Sequence, residues 1–156
     1  MNRAENPLRE PVSKDRLRLW LRLLKTTRHI EASLRENLRT EFATTLPRFD
    51  VMSALSRHPS GMKMSKLSGV LKVSNGNVTG IIDRLVDDGH VVRVAVPGDR
   101  RASLVRLTRK GEAEFARQAA AHEAWVDAML GDFAQDEAAA LAQRLDTLET
   151  TLTEDR

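Results

Sequence analysis

Residues 64–93, MSKLSGVLKVSNGNVTGIIDRLVDDGHVVR, constrain the fold of this chain more than any other stretch. Met64, Leu67 and Leu71 recur at i, i+3, i+7, and Val78, Ile81, Ile82 and Leu85 at i, i+3, i+4, i+7. Each set fits one face of a helix, so two short helices are predicted, each with a single face to bury. Ser74 stands just before the second helix, where its hydroxyl can accept a hydrogen bond from a first-turn N–H. Gly89 stands just after it, where a positive φ costs least. The β-branched run 90–96 then places Val92, Val94 and Val96 on one side of a strand and Val91, Arg93 and Ala95 on the other. Two helices, a tight turn and a strand in that order have the layout of a helix-turn-helix backed by a hairpin.

The outer face of the second helix carries Asn75, Gly76, Asn77, Thr79, Gly80, Asp83 and Arg84, polar and mostly short. An amide can pair in bidentate fashion with adenine, a threonine methyl can touch the thymine methyl, and a glycine admits close backbone approach. The alternative is a solvated face on an ordinary core helix. Charge favours the first reading. Residues 48–110 hold 12 Lys/Arg against 5 Asp/Glu, whereas residues 111–156 hold 3 against 11. A basic middle coinciding with the two helices suits a phosphate-facing surface, because counterion release supplies most non-specific DNA affinity. The acidic last third should point away from DNA.

The flanking segments read as helices. Residues 1–12 hold two prolines and little apolar pattern, which suggests a flexible N-terminal arm. Ser13 is placed to cap a long amphipathic helix over 14–42, whose stripe runs through Leu17, Trp20, Leu21 and Leu24 to Ile30, Leu34, Leu38 and Phe42. Leu46-Pro47 opens another helix, with Phe49, Met52 and Leu55 to bury. A second short strand is expected over 104–108, leaving residues 97–102 as a turn tip that presents Arg100 and Arg101. Asp99 beside them is read as a structural partner that orients one arginine, Arg101. Thr108 caps a helix to about residue 130, with Phe115, Ala119, His122, Val126 and Met129 on one stripe. The last helix sets Ala138, Leu141, Leu145, Leu148 and Leu152 at spacings alternating between three and four, a narrow seam suited to packing on other long helices. Long helices at both ends of a small DNA-reading core suggest a dimer, whose two copies would read a pseudo-palindrome one helical turn apart.

Several function classes fall away. The chain has no cysteine, so disulfides, thiolate metal sites and thiol-based sensing are excluded. It has no HExxH, P-loop, GxSxG or dinucleotide fingerprint, so no enzyme activity or cofactor is expected. His29, His58, His90 and His122 are scattered, and no metal site is expected from them. Neither a leader peptide nor a long apolar run is present, so a cytoplasmic protein off the membrane is expected. An architectural DNA-binding protein with no effector shares the basic middle and remains the alternative.

The segment VSNGNVTGIIDRLVDDGHVVR, the tip PGDRRASLVRLT and the following RKGEAEF together resemble the MarR family of winged-helix transcriptional regulators, over residues 13–153. The resemblance implies a mainly α fold with a small β-hairpin wing and a helical dimerisation layer drawn from both termini. By that division, residues 13–46 and 112–156 form the dimerisation region and 47–111 the winged helix-turn-helix. It implies a homodimer that represses by binding duplex DNA and is released by a small anionic aromatic ligand. The family's recognition-helix role falls on Ser74, Asn75, Asn77, Thr79 and Arg84, and its wing role on Arg100 and Arg101. The Ser-Asn-Gly-Asn start of the reading helix departs from the proline or small hydroxyl residues frequent there in the family, which leaves the operator sequence open.

A narrower similarity, carried by LPRFDVMSALSRHPSGMKMSKLS and NGNVTGIIDRL, is to the branch that responds to hydroxycinnamoyl-type and related aromatic acyl-CoA thioesters. Such a ligand needs an apolar slot and cations for its phosphates. Trp20, Phe49 and Met52 can supply the first, and Arg35, Arg39 and Arg48 the second, with His29 and His58 as polar contacts. The alternative reading makes the aromatic groups plain core and the arginines a solvated face.

Overall fold

The computed structural model describes residues 10–71 and 75–155. It divides into two compact units, Met1–Ala119 and Ala120–Arg156. The first contains α1 (Val12–Phe42), α2 (Leu46–Ser56), β1 (Met62–Lys63), α3 (Met64–Leu71), α4 (Asn75–Asp87), β2 (Val91–Val96), β3 (Asp99–Leu107) and the start of α5 (Arg109–Met129). The second contains the rest of α5 and α6 (Gln135–Glu154).

α1 begins earlier than the hydroxyl at Ser13 suggested. Pro11 is its N-cap, and no side chain caps the first turn. Its 31 residues span about 46 Å. Within the chain it buries only Leu34 and Leu38, while Leu17, Trp20 and Leu21 on the first half of the expected stripe are about half exposed. The helix stops where Ala43 turns left-handed, at φ 50°. The Ala43 and Thr44 N–H groups then donate to the carbonyls of Arg39 and Leu38.

α2 is the centre of the first unit. Thr45 caps it, its hydroxyl accepting from the Arg48 N–H at 3.3 Å, and Pro47 occupies the first turn, where a missing N–H costs nothing. Phe49, Val51, Met52, Ala54 and Leu55 are all buried. Val51, Met52 and Leu55 join Leu67 of α3 with Val78, Ile82 and Leu85 of α4 in one apolar core, which Val91 and Val105 close from the sheet. Burying each of these side chains contributes roughly 1.5–3 kcal/mol.

The hairpin β2–β3 forms as expected, with Val91 opposite Leu107 and Ala95 opposite Ser103. Two features differ from the sequence reading. First, β1 adds a third strand, antiparallel to β3, with Met62 opposite Val105. Gly61 precedes it at φ +101°, where an added Cβ would lie 3.1 Å from the Val105 carbonyl oxygen. A two-residue strand has no periodicity to reveal it. Second, β3 starts at Asp99 rather than near Leu104, so the turn narrows to Pro97 and Gly98. Between Ala95 and Val96 the register jumps from Ser103 to Asp99. The backbone of residues 100–102 therefore belongs to β3, with no opposite residue on β2, and the arginine pair is off the turn itself. Such a bulge bends and twists a strand end without abandoning the hairpin.

In the second unit, the Glu137 carboxylate accepts from the Ala134 N–H at 3.1 Å and so closes the first turn of α6. α6 buries no residue within the chain. Leu141, Leu145, Leu148 and Leu152 of the expected seam are all about half exposed. No helix among the described residues is long and apolar enough to cross a membrane.

Candidate nucleic-acid interface

α4 is backed entirely by core. Val78, Ile82 and Leu85 are fully buried, which turns Asn77, Thr79, Gly80, Asp83 and Arg84 outward. A Cβ added at Gly80 would meet nothing within 4 Å, so this part of the helix surface is open to close approach. Ser74 lies outside the described residues, as do the side chains of Asn75, Arg100 and Arg101. Asp99, expected to orient Arg101, is exposed and pairs in register with Val96 at the turn.

Two ion pairs set the outer edge of the helix. Arg84 Nε lies 3.4 Å from the Asp88 carboxylate, one turn on. Asp83 receives a hydrogen bond from Arg93 of β2, which ties α4 to the first strand of the hairpin. Sequence reading placed Asp83 on the polar outer face and missed this partner. The available signal was opposite charge on facing elements, but the facing itself needs the fold.

The far end of α4 is anchored more tightly. Gly89, at φ +77°, turns the chain out of the helix, and its carbonyl accepts from the Thr108 hydroxyl at 2.6 Å. The same hydroxyl accepts from the Gly111 N–H at 3.0 Å, so Thr108 caps α5 as expected while also holding the end of α4. Lys110 Nζ donates to the Asp88 carbonyl at 2.9 Å, placing a cation at the helix C-terminus where the dipole favours it. Gly111 lies against the His90 carbonyl so closely that only a hydrogen fits. α4, the hairpin and the start of α5 thus form one braced body.

The residues expected to hold an effector are dispersed. Phe49 and Met52 are buried, Met52 in the central core and Phe49 with its ring centroid 5.5 Å from that of Phe115. Trp20 is half exposed on α1, about 28 Å along the axis from Arg39. His29 is exposed on the same helix. Arg35 pairs with Glu31 at 3.3 Å. Arg39 grips Glu36 through Nη2 at 2.7 Å and Nε at 3.1 Å, and this hydrogen bonding and charge hold the Glu36 carboxyl below its usual range and raise the Arg39 guanidinium. His58 Nδ1 donates to the Ala54 carbonyl at 3.0 Å, one turn back along α2. Arg48 lines an open groove of about 580 Å³ together with Thr45, Pro47, Asn77, Gly80, Ile81 and Arg84. One residue outside the expected set stands out. Gln118 of α5 is buried, its Nε2 donating to Glu114 at 3.3 Å while its Oε1 has no hydrogen-bond partner among the described residues.

A helix-turn-helix with its second helix turned outward, braced by a hairpin wing, defines a winged helix-turn-helix protein of the transcription-regulator class. The model of the MarR family matches residues 44–103. A MarR family transcriptional regulator from Silicibacter pomeroyi is 30% identical and superposes with a TM-score of 0.76, over 92% of this chain and 99% of that one. The chain belongs to the MarR family of winged-helix transcriptional regulators. It is also 36% identical over 96 residues to the transcriptional activatory protein BadR of Rhodopseudomonas palustris, covering 60% of this chain and about half, 54%, of that relative. A mutant MarR from E. coli, solved in complex with operator DNA, shares the fold at a TM-score of 0.74 and 24% identity, over 89% of this chain and 99% of that one.

Proposed function

We propose that the protein is a homodimeric transcriptional regulator, not an enzyme, that reads a pseudo-palindromic operator with α4 and steadies itself with the wing. The observation that carries this reading is the outward face of α4, which sets Asn77, Thr79 and Gly80 over a fully buried apolar back within a basic segment. Residues 47–111 form the reading module, with 13–46 and 112–156 as the dimerisation region, and the site of action is the cytoplasm. Asn77 and Thr79 read base edges together with Ser74 and Asn75, while Arg84, Arg100 and Arg101 carry positive charge to the backbone and minor groove. Two copies spaced by about 34 Å would meet successive major-groove segments.

Asn77→Ala tests the reading role. It should cost about 1–3 kcal/mol at a selected operator and relax base preference there. Operator selection from a random duplex library, followed by titration of both forms, measures it. An equal loss on every sequence would remove Asn77 from base reading.

In this reading, control comes from a small aromatic anion, free or as a CoA thioester, bound where α1, α2 and α5 meet within the first unit. The amide oxygen of Gln118 on α5, without a partner among the described residues, supports a polar ligand beside that helix, since a buried acceptor without a donor costs roughly 1–3 kcal/mol until one arrives. Ligand that prefers the other spacing of the reading helices by about 2–3 kcal/mol would weaken operator binding roughly 30- to 150-fold. A thermal-shift screen of aromatic acids and their CoA thioesters, with hits carried into operator titrations, tests this. An unmoved operator affinity would favour the effector-free architectural reading. Repression by occlusion is the sign proposed. Activation is the second reading, favoured by the similarity to an activatory protein, and transcription in vitro decides between them.

A further inference from the structure

We infer that Arg48 of α2 is a DNA-backbone clamp rather than an effector contact, taking a phosphate that flanks the bases read by α4. The assignment rests on the DNA-reading function proposed above. Its starting point is the groove that Arg48 shares with Asn77, Gly80 and Arg84, which puts an α2 arginine beside the outward face of α4. The two arginines reach that groove from different helices. Arg84 is held by Asp88, and the neighbouring Arg93 by Asp83. Arg48 has no carboxylate in ion-pair range among the described residues, although it is partly buried and its backbone is fixed by the Thr45 cap. A partly desolvated cation that shares an open groove with a second arginine is stabilised by an anion entering that groove.

Duplex DNA brings such an anion to this place. A helix lying in the major groove has phosphates along both flanks, and contacts to them fix register without reading sequence. The groove also lies on the same element as Thr79, so a phosphate seated there would set how deeply α4 enters. The effector arginines Arg35 and Arg39 do not share this environment. They stand on α1, each with a glutamate partner of its own.

The test is the salt dependence of binding to a mixed-sequence duplex of about 30 base pairs, which isolates backbone contacts. Arg48→Ala should lower affinity about tenfold at physiological salt and flatten the slope of log K against log salt by about 2 for a dimer. Arg48→Lys should keep most of the slope. Arg57→Ala, which removes an exposed arginine at the other end of α2, should match the wild type. An unchanged slope in Arg48→Ala overturns the assignment alone, and so does an Arg57→Ala variant that loses as much. An Arg48→Ala variant that keeps its slope but loses its thermal shift with aromatic acyl-CoA returns Arg48 to the effector. A wild-type protein with no DNA affinity at low salt overturns both the assignment and the function on which it rests.

Discussion

Gly111→Ala is expected to destabilise the protein by about 3–5 kcal/mol, a large share of the roughly 5–15 kcal/mol that holds a typical domain together. A Cβ at this position would sit 2.0 Å from the His90 carbonyl oxygen and 2.8 Å from its carbon, both backbone atoms that no rotamer change can move. To relieve the overlap, the start of α5 must lift from the end of α4. That lift strains the bond from the Thr108 N–H to the His90 carbonyl at 3.0 Å and the bonds of the Thr108 hydroxyl to Gly89 and Gly111. Urea and thermal unfolding would measure the loss, with the melting temperature falling on the order of 10 °C. Gly80→Ala supplies the contrast. The site is open, so alanine should add up to about 1 kcal/mol of helix stability. If Gly111→Ala were as stable as the wild type, the tight joint between α4 and α5 would not exist in solution.

The paired change Leu145→Asp and Leu148→Asp should dissociate the proposed homodimer. Both leucines are about half exposed, and α6 buries nothing within its own chain, so the substitutions leave the folded unit its core while putting two charges on its apolar seam. Sedimentation should then report the 17.5 kDa chain by itself, with helical circular dichroism retained. Operator affinity should fall about 10²- to 10⁴-fold, because the second reading helix no longer binds at high effective concentration. A double variant that sediments like the wild type would take the dimer seam away from α6. The exposed first half of the α1 stripe, with Leu17, Trp20 and Leu21, would then be the next surface to alter.

How far the sequence could be read depends on the kind of signal each element carries. The helices were legible because their apolar residues repeat along the chain. Leu67, Val78, Ile82 and Leu85, chosen by spacing, are all at the centre of the core. The caps at Thr108 and Gly89 were legible for the same local reason. Ser13 misled, since a hydroxyl near a helix start is no cap when Pro11 already begins the turn. β1 left no trace, because two residues become a strand only when Val105 and Leu104 lie beside them. The outer face of α4 could be assigned from Asn77, Thr79 and Gly80, but the partner of Asp83 and the surroundings of Arg48 could not.

By itself, the order of the residues determined which faces are apolar, where α4 ends and α5 begins, and that the middle of the chain is basic, because these follow from neighbours a few positions apart. Tertiary structure alone decided that Arg93 meets Asp83, that Gly111 has no room for a methyl group against His90, and that Arg48 of α2 shares a groove with Asn77, Gly80 and Arg84 of α4. Each of these depends on the distance between segments remote in the chain, and that distance is set by how the buried faces pack together.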